Sequence, residues 1–132
     1  MTHRVLVIED NEQNIYMITY LLEHAGLEVI QARDGVGGLQ VAIADPPDLI
    51  ILDIQLPELD GYEVARRLRG APRLAAVPIV AVTSFAMAGD RERILAAGCT
   101  AYLEKPIDPD TFVESVTRHI SSEETGVWDR RS

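Results

Sequence analysis

Apolar residues along the chain gather into five short runs, at 5–8, 27–32, 49–52, 77–82 and 101–103, separated by longer stretches with apolar positions three and four residues apart. Val5-Leu6-Val7-Ile8, Leu49-Ile50-Ile51-Leu52 and Ile79-Val80-Ala81-Val82 are continuous rather than alternating. That is how strands covered on both faces of a parallel sheet read. The spacing predicts a first helix over 11–25, with Ile18, Leu21, Leu22 and Ala25 on one stripe and a stop at Gly26. A second covers 34–44 and ends before Pro46-Pro47, and a third covers 61–69 with Val64, Ala65 and Leu68 inward. The fourth, 86–97, carries Ile94, Leu95 and Ala97 and stops at Gly98; the fifth, 109–120, carries Phe112, Val113 and Val116.

Five strands alternating with five helices imply right-handed crossovers and one parallel sheet with helices on both faces. The expected fold is α/β, a flavodoxin-like doubly wound sheet. At 132 residues the chain holds one domain, and 47% hydrophobic with 25% charged residues is a globular balance. The domain is expected over 1–120, with 121–132 as a polar tail containing Val127 and Trp128. The first apolar run is too short for a signal peptide or a membrane span, so a cytoplasmic protein without membrane contact is expected. Cys99 is the sole cysteine, which excludes an internal disulfide and reads as a small buried hydrophobe. A formal net charge of −9 argues against nucleic acid as a partner, because phosphate backbones are met by clustered bases. Within that count, eleven of the twelve bases are Arg, and Lys105 is the only lysine.

In open α/β sheets ligands bind beyond the carboxyl ends of the strands, near the point where strand order reverses. The predicted strands end in Glu9-Asp10, Asp53, Thr83-Ser84 and Glu104-Lys105-Pro106. With strand order 2-1-3-4-5, strands one and three are neighbours, and Glu9, Asp10 and Asp53 meet in one cleft. Two like charges at about 4 Å repel by roughly 4 kcal/mol at an effective dielectric of about 20, so the trio calls for a cation. Oxygen ligands completed by water suit Mg²⁺. Mg²⁺, the Lys105 ammonium and a Thr83 hydroxyl around a central carboxylate are the equipment for receiving a phosphoryl group. Asp53 is then the nucleophile, and Glu9 and Asp10 hold the metal.

In these elements the chain resembles the receiver domains of two-component response regulators. The matching residues are Glu9-Asp10, Asp53-Ile54-Gln55-Leu56-Pro57 with Gly61 eight positions on, Thr83-Ser84, and Tyr102 three before Lys105-Pro106. The resemblance covers residues 4 to about 120 and also underlies the strand order. It implies that Asp53 takes phosphate from a phosphohistidine on a histidine kinase or histidine phosphotransfer protein. It further implies Mg²⁺ on Asp10, Asp53 and the Gln55 carbonyl, with Glu9 acting through water. Lys105 would hold a phosphoryl oxygen, Thr83 and Tyr102 would switch a partner-binding surface on helix four, strand five and helix five, and the Lys105–Pro106 bond would be cis. The stretch from Phe85 to Cys99, with Pro57-Glu58, is similar to small single-domain regulators of bacterial polarity and cell cycle. Receivers of hybrid histidine kinases share much of it, which leaves an intermediate relay or an excised receiver as alternatives.

Two rival chemistries fit less well. A haloacid-dehalogenase-type phosphatase needs a second Asp two residues after its nucleophile, where Gln55 stands. A flavodoxin-like electron carrier needs a Ser/Thr/Gly-rich phosphate loop, where Asp10-Asn11-Glu12 would repel phosphate. Read alone, Asp53 is equally a solvated loop acid or helix cap, Tyr102 a strand aromatic and Thr83 a polar strand end; their joint placement favours the site. His3, His24 and His119 share no ligand spacing, and Arg66, Arg67 and Arg69 read as a solvated face. Bulky Phe85 is placed to limit water access to the site. Tyr16 and Tyr20, four apart opposite the apolar stripe of the first helix, read as amphipathic surface or as a docking patch for a helical phosphodonor.

Overall fold

The computed structural model describes residues 2–56, 59–84 and 88–120. The elements run β1 (Arg4–Ile8), α1 (Glu12–His24), β2 (Glu28–Ala32), α2 (Gly35–Ala44), β3 (Leu49–Asp53), α3 (Gly61–Gly70), a 3₁₀ turn (Pro72–Leu74), β4 (Ile79–Thr83), α4 (Ala88–Ala96), β5 (Ala101–Glu104) and α5 (Phe112–Thr117). All strand pairs are parallel, in the order β2-β1-β3-β4-β5. This is the flavodoxin-like doubly wound sheet that the alternation predicts. The expected tail, Pro57-Glu58 and Phe85 lie outside the described residues. Among the described residues no helix is long and apolar enough to cross a membrane.

The continuous runs are central strands, and their two sets of alternate side chains feed two separate cores. Leu6, Ile8, Ile50, Leu52, Ile79 and Ala81 face one side, packing with Ala42 of α2, Val64 and Leu68 of α3 and Ile94 of α4. Val5, Val7, Leu49, Ile51, Val80 and Val82 face the other, against Ile18 and Leu22 of α1 and Phe112 and Val116 of α5. Burying a side chain of this size contributes about 1.5–3 kcal/mol, so β1, β3 and β4 form a rigid floor for whatever stands on their ends. Three helices begin on side-chain caps: Asn11 accepts from the Asn14 N–H, Asp34 from that of Gly37 and Asp60 from that of Glu63.

Where the element boundaries depart from the apolar pattern, backbone hydrogen bonding decides. Leu27 is not in β2. Its N–H closes on the Leu22 carbonyl, while Gly26, at φ 92°, donates to Glu23. α4 ends in the same way, with Gly98 at φ 107° and the Cys99 N–H on the Ile94 carbonyl. This termination suits glycine, with a buried apolar residue after it. Cys99 takes that buried place, and burial pushes its thiol up to about 11. β4 starts at Ile79 because Pro78 has no N–H and Val77 donates back to Leu74. α5 is shorter than expected: Asp108 accepts from the Asp110 N–H in a turn before it, and after Thr117 the chain tightens to three-residue bonds, His119 to Val116 and Ile120 to Thr117.

Three side-chain expectations also change. Ala25 and Leu95 are exposed, Leu95 because it faces away from Ile94 and the sheet. Arg69 is not on a solvated face. Arg66 and Arg67 do pair with Glu63 at the surface, but Arg69 folds back, its Nε donating to the Gly98 carbonyl at 2.9 Å. Its Nη1 reaches the carbonyls of Leu74, Ala75 and Val77 at 3.0, 3.0 and 2.7 Å. A guanidinium has five donors in a fixed fork, enough to gather four carbonyls from the turn, the approach to β4 and the end of α4.

Gly61 brings α3 against the end of β3. A Cβ there would meet the Ile54 Cα at 2.4 Å and the Asp53 carbonyl oxygen at 2.8 Å. Both obstacles are backbone and cannot swing aside. Gly61→Ala is therefore expected to lower stability by about 1–3 kcal/mol. Gly70→Ala, whose Cβ meets nothing within 4 Å, should be neutral or stabilising by up to about 1 kcal/mol. Urea unfolding midpoints of the two variants measure the difference.

Candidate functional site

The register of the sheet assembles the site. Ile8 pairs with Leu52 and Asp53 with Val82, so Glu9, one step past β1, comes alongside Asp53 at the end of β3. Thr83 pairs with Glu104, and the Lys105 N–H continues the ladder to the Thr83 carbonyl at 2.8 Å. Four strand ends thus deliver their side chains to one edge. They border an open cleft of about 550 Å³ lined by Glu9, Asp10, Asn11, Glu12, Asp53, Gln55, Ser84 and Lys105, among others.

Carboxylate oxygens of Glu9, Asp10 and Asp53 lie within 4.8 Å of one another. Glu9 and Asp53 are each 2% exposed, whereas Asp10 faces solvent. Lys105, its side chain 19% exposed, places Nζ 3.2 Å from Asp53 Oδ1 and 3.8 Å from Glu9 Oε1. The Gln55 N–H donates to the same Asp53 oxygen at 2.9 Å, and the Asn11 N–H donates to Glu9 Oε2 at 3.1 Å. These donors only partly offset the crowding. Burial first, and the Asp53 charge second, push the Glu9 carboxyl up to about 7, against the opposing pull of the Asn11 N–H and Lys105. At the rim, Glu12 pairs with Arg33.

Of the residues singled out in the sequence, Glu9, Asp10, Asp53, Gln55 and Lys105 come together around the cleft. Thr83 is buried at the end of β4 and does not itself line the cleft; its neighbour Ser84 does. Tyr102 sits on β5, half-buried against the core beneath α3 and α4. The Lys105–Pro106 peptide is cis. His3 stands 3.5 Å from Asp48 and His24 stacks on Tyr20, both away from the cleft. Ser84, which the sequence offers only as part of the Thr83-Ser84 strand end, lines the cleft. Its contribution is a backbone N–H, donated to Gln55 Oε1 at 2.8 Å, and no side-chain pattern announces such a donor.

The donor set consists of hard oxygens, which fits Mg²⁺ better than an ion that seeks imidazole or thiolate. A divalent cation would relieve the repulsion that raises Glu9. The geometry groups a buried carboxylate with a lysine ammonium on it and two further acids beside it, a net negative charge that a divalent cation would offset.

The family model for the response regulator receiver domain matches residues 5–117. The chain is a response regulator receiver domain. It is 44% identical over 120 residues to the polar-differentiation response regulator DivK of Brucella ovis, covering 91% of this chain and 98% of that protein. The receiver domain also superposes on the chemotaxis protein CheY4 of Vibrio cholerae with a TM-score of 0.87 at 28% identity, over 91% of this chain and 100% of that one. A third relative is the receiver domain of the sensor histidine kinase PA1611 of Pseudomonas aeruginosa, with a magnesium ion coordinated in its active-site cleft. It is 35% identical, with a TM-score of 0.82, over 89% of this chain and 97% of that one. The likeness to DivK agrees with the resemblance to small single-domain polarity regulators. Two-component signalling is therefore the setting of this receiver domain.

If the three carboxylates repel as the geometry requires, Asp10→Asn should stabilise the fold by about 1 kcal/mol in a chelating buffer, the solvent-exposed member being partly screened. Urea unfolding in EDTA reads this directly.

Proposed function

We propose that this domain is a phosphorylation switch in which Asp53 accepts a phosphoryl group from a phosphohistidine on a histidine kinase or histidine phosphotransfer protein. The carrying observation is the Asp53 carboxylate, buried yet lining the cleft, with Lys105 Nζ 3.2 Å away and two further carboxylates beside it. An Asp53 oxygen attacks phosphorus as the phosphorus–nitrogen bond breaks, its electron pair returning to the imidazole. Lys105 holds one oxygen of the transferred group by a charge-assisted hydrogen bond. Glu9, Asp10, Asp53 and the Gln55 carbonyl would hold Mg²⁺, which supplies positive charge to offset the phosphoryl oxygens. Gly61 lets α3 pack directly against the Asp53–Ile54 backbone that carries the acceptor.

In this reading Thr83 and Tyr102 respond to the new group, and the surface of α4, β5 and α5 changes its affinity for a downstream protein. Such a change requires that partner to bind the two states with different free energies. The partners are proteins, in the cytoplasm, and the negative charge speaks against nucleic acid. The similarity to the receiver of a sensor histidine kinase favours one second reading, an intermediate in a phosphorelay, in which Asp53 passes its phosphoryl group on to another histidine. Return of label from the phosphorylated domain to a phosphotransfer protein distinguishes the two.

Incubation with Mg²⁺ and acetyl phosphate, followed by intact mass, should add one phosphoryl group to the wild type and none to Asp53→Ala. An unmodified wild type, or a modified Asp53→Ala, overturns the assignment. Tyr16 and Tyr20 are 75% and 56% exposed on α1, beside the cleft that a helical donor must approach. Replacing both with Ala should slow transfer from a phosphorylated phosphotransfer domain roughly tenfold, as loss of aromatic anchors does, and leave the acetyl phosphate rate unchanged. Parallel time courses with the two donors provide the comparison.

A further inference from the structure

Gln55 touches the site twice. Its backbone N–H holds Asp53 Oδ1, while its side-chain Oε1 accepts from the Ser84 N–H at 2.8 Å, joining the segment after β3 to the segment after β4 across the cleft. That N–H carries one hydrogen, so a second acceptor arriving in the cleft must displace the carboxamide.

We infer that the Gln55 carboxamide is a competing occupant of the phosphoryl pocket, holding the Ser84 N–H in the resting state and surrendering it to a phosphoryl oxygen on Asp53. The inference rests on the acyl-phosphate reading above. In that step an Asp53 oxygen bonds to phosphorus while the bond to the leaving group breaks and its electron pair departs with that group. Three terminal oxygens remain on the acyl phosphate. Lys105 Nζ, 3.2 Å from Asp53 Oδ1, is one donor for them, and the Ser84 N–H on the cleft lining is another once Gln55 releases it. A hydrogen bond to a charged oxygen is roughly twice as strong as one to a neutral amide, so the exchange runs toward the phosphoryl group. Its yield is reduced by the Gln55 bond that must be broken. Gln55 is therefore a positioning residue that sets how firmly the group is held and links its arrival to the Ser84 backbone at the end of β4.

The test uses the full ¹⁵N-labelled chain with Mg²⁺, titrated with beryllofluoride as a phosphoryl mimic, in wild type, Gln55→Met and Gln55→Glu. Met keeps the length of the side chain and removes the strong acceptor; Glu keeps the acceptor and adds charge. Before titration, the Ser84 amide resonance should move and exchange faster with solvent in Gln55→Met, and keep its hydrogen-bonded shift in Gln55→Glu. Beryllofluoride should then bind about 3- to 10-fold more tightly to Gln55→Met, the worth of one neutral hydrogen bond, and more weakly to Gln55→Glu. A dispersed spectrum verifies each fold, and Gln55→Ala repeats the first arm should Gln55→Met lose dispersion. An unmoved Ser84 amide in Gln55→Met, or equal or weaker beryllofluoride binding by it, overturns the inference. A wild type that ignores beryllofluoride while its Ser84 amide responds to Gln55→Met overturns the acyl-phosphate reading, and the inference with it, yet leaves the resting contact standing.

Discussion

Everything in this domain depends on holding like charges together. Glu9, Asp10 and Asp53 converge within 4.8 Å, and Glu9 and Asp53 do so almost out of reach of water. Unsupported, such a group would open or take up protons. What keeps it in place is the backbone beneath: β1 and β3 are buried along their inner lengths and locked in register, so their last side chains have nowhere else to go. Lys105 then offsets part of the charge from the end of β5, brought there by the ladder bond to Thr83. The repulsion is a local cost offset by a core several strands wide, the usual relation between an activated site and its scaffold.

That division of labour explains which parts were legible in the chain. The central strands announce themselves because two-sided burial leaves no room for polar residues, and the carboxyl ends of β1 and β3 announce themselves because acids break those runs abruptly. Asp53 and Glu9-Asp10 were visible for that reason. Boundaries set by backbone bonding were not: Leu27 and Val77 look like strand residues, and only the bonds to Leu22 and Leu74 remove them from the sheet. Arg69 was hidden differently, since next to Arg66 and Arg67 it looks like surface, while its partners come from the 3₁₀ turn, the approach to β4 and the end of α4. The Gln55–Ser84 bond joins residues 29 apart through an amide and a main-chain donor, neither of which leaves a mark in composition.

Family membership and physical reading support each other without overlapping completely. Likeness to DivK and to other receivers establishes the setting, two-component signalling. The geometry says which atoms of this chain stand near which others. At Asp53 and Lys105 it sets an ammonium 3.2 Å from a buried carboxylate. Elsewhere only the geometry speaks, as with the carboxamide lying across the cleft.

The two ends of the sheet are finished in different ways. At the amino-terminal edge, α1 and α4 close on left-handed glycines followed by buried Leu27 and Cys99, and Arg69 ties the end of α4 to the turn before β4. At the carboxyl-terminal edge the chain instead presents a cleft with acids on its walls. The molecule is thus built as a cantilever, clamped at one rim and loaded at the other. The crowded carboxylates and the closed helix ends therefore sit at opposite rims of the same strands, joined by the buried lengths of β1, β3 and β4.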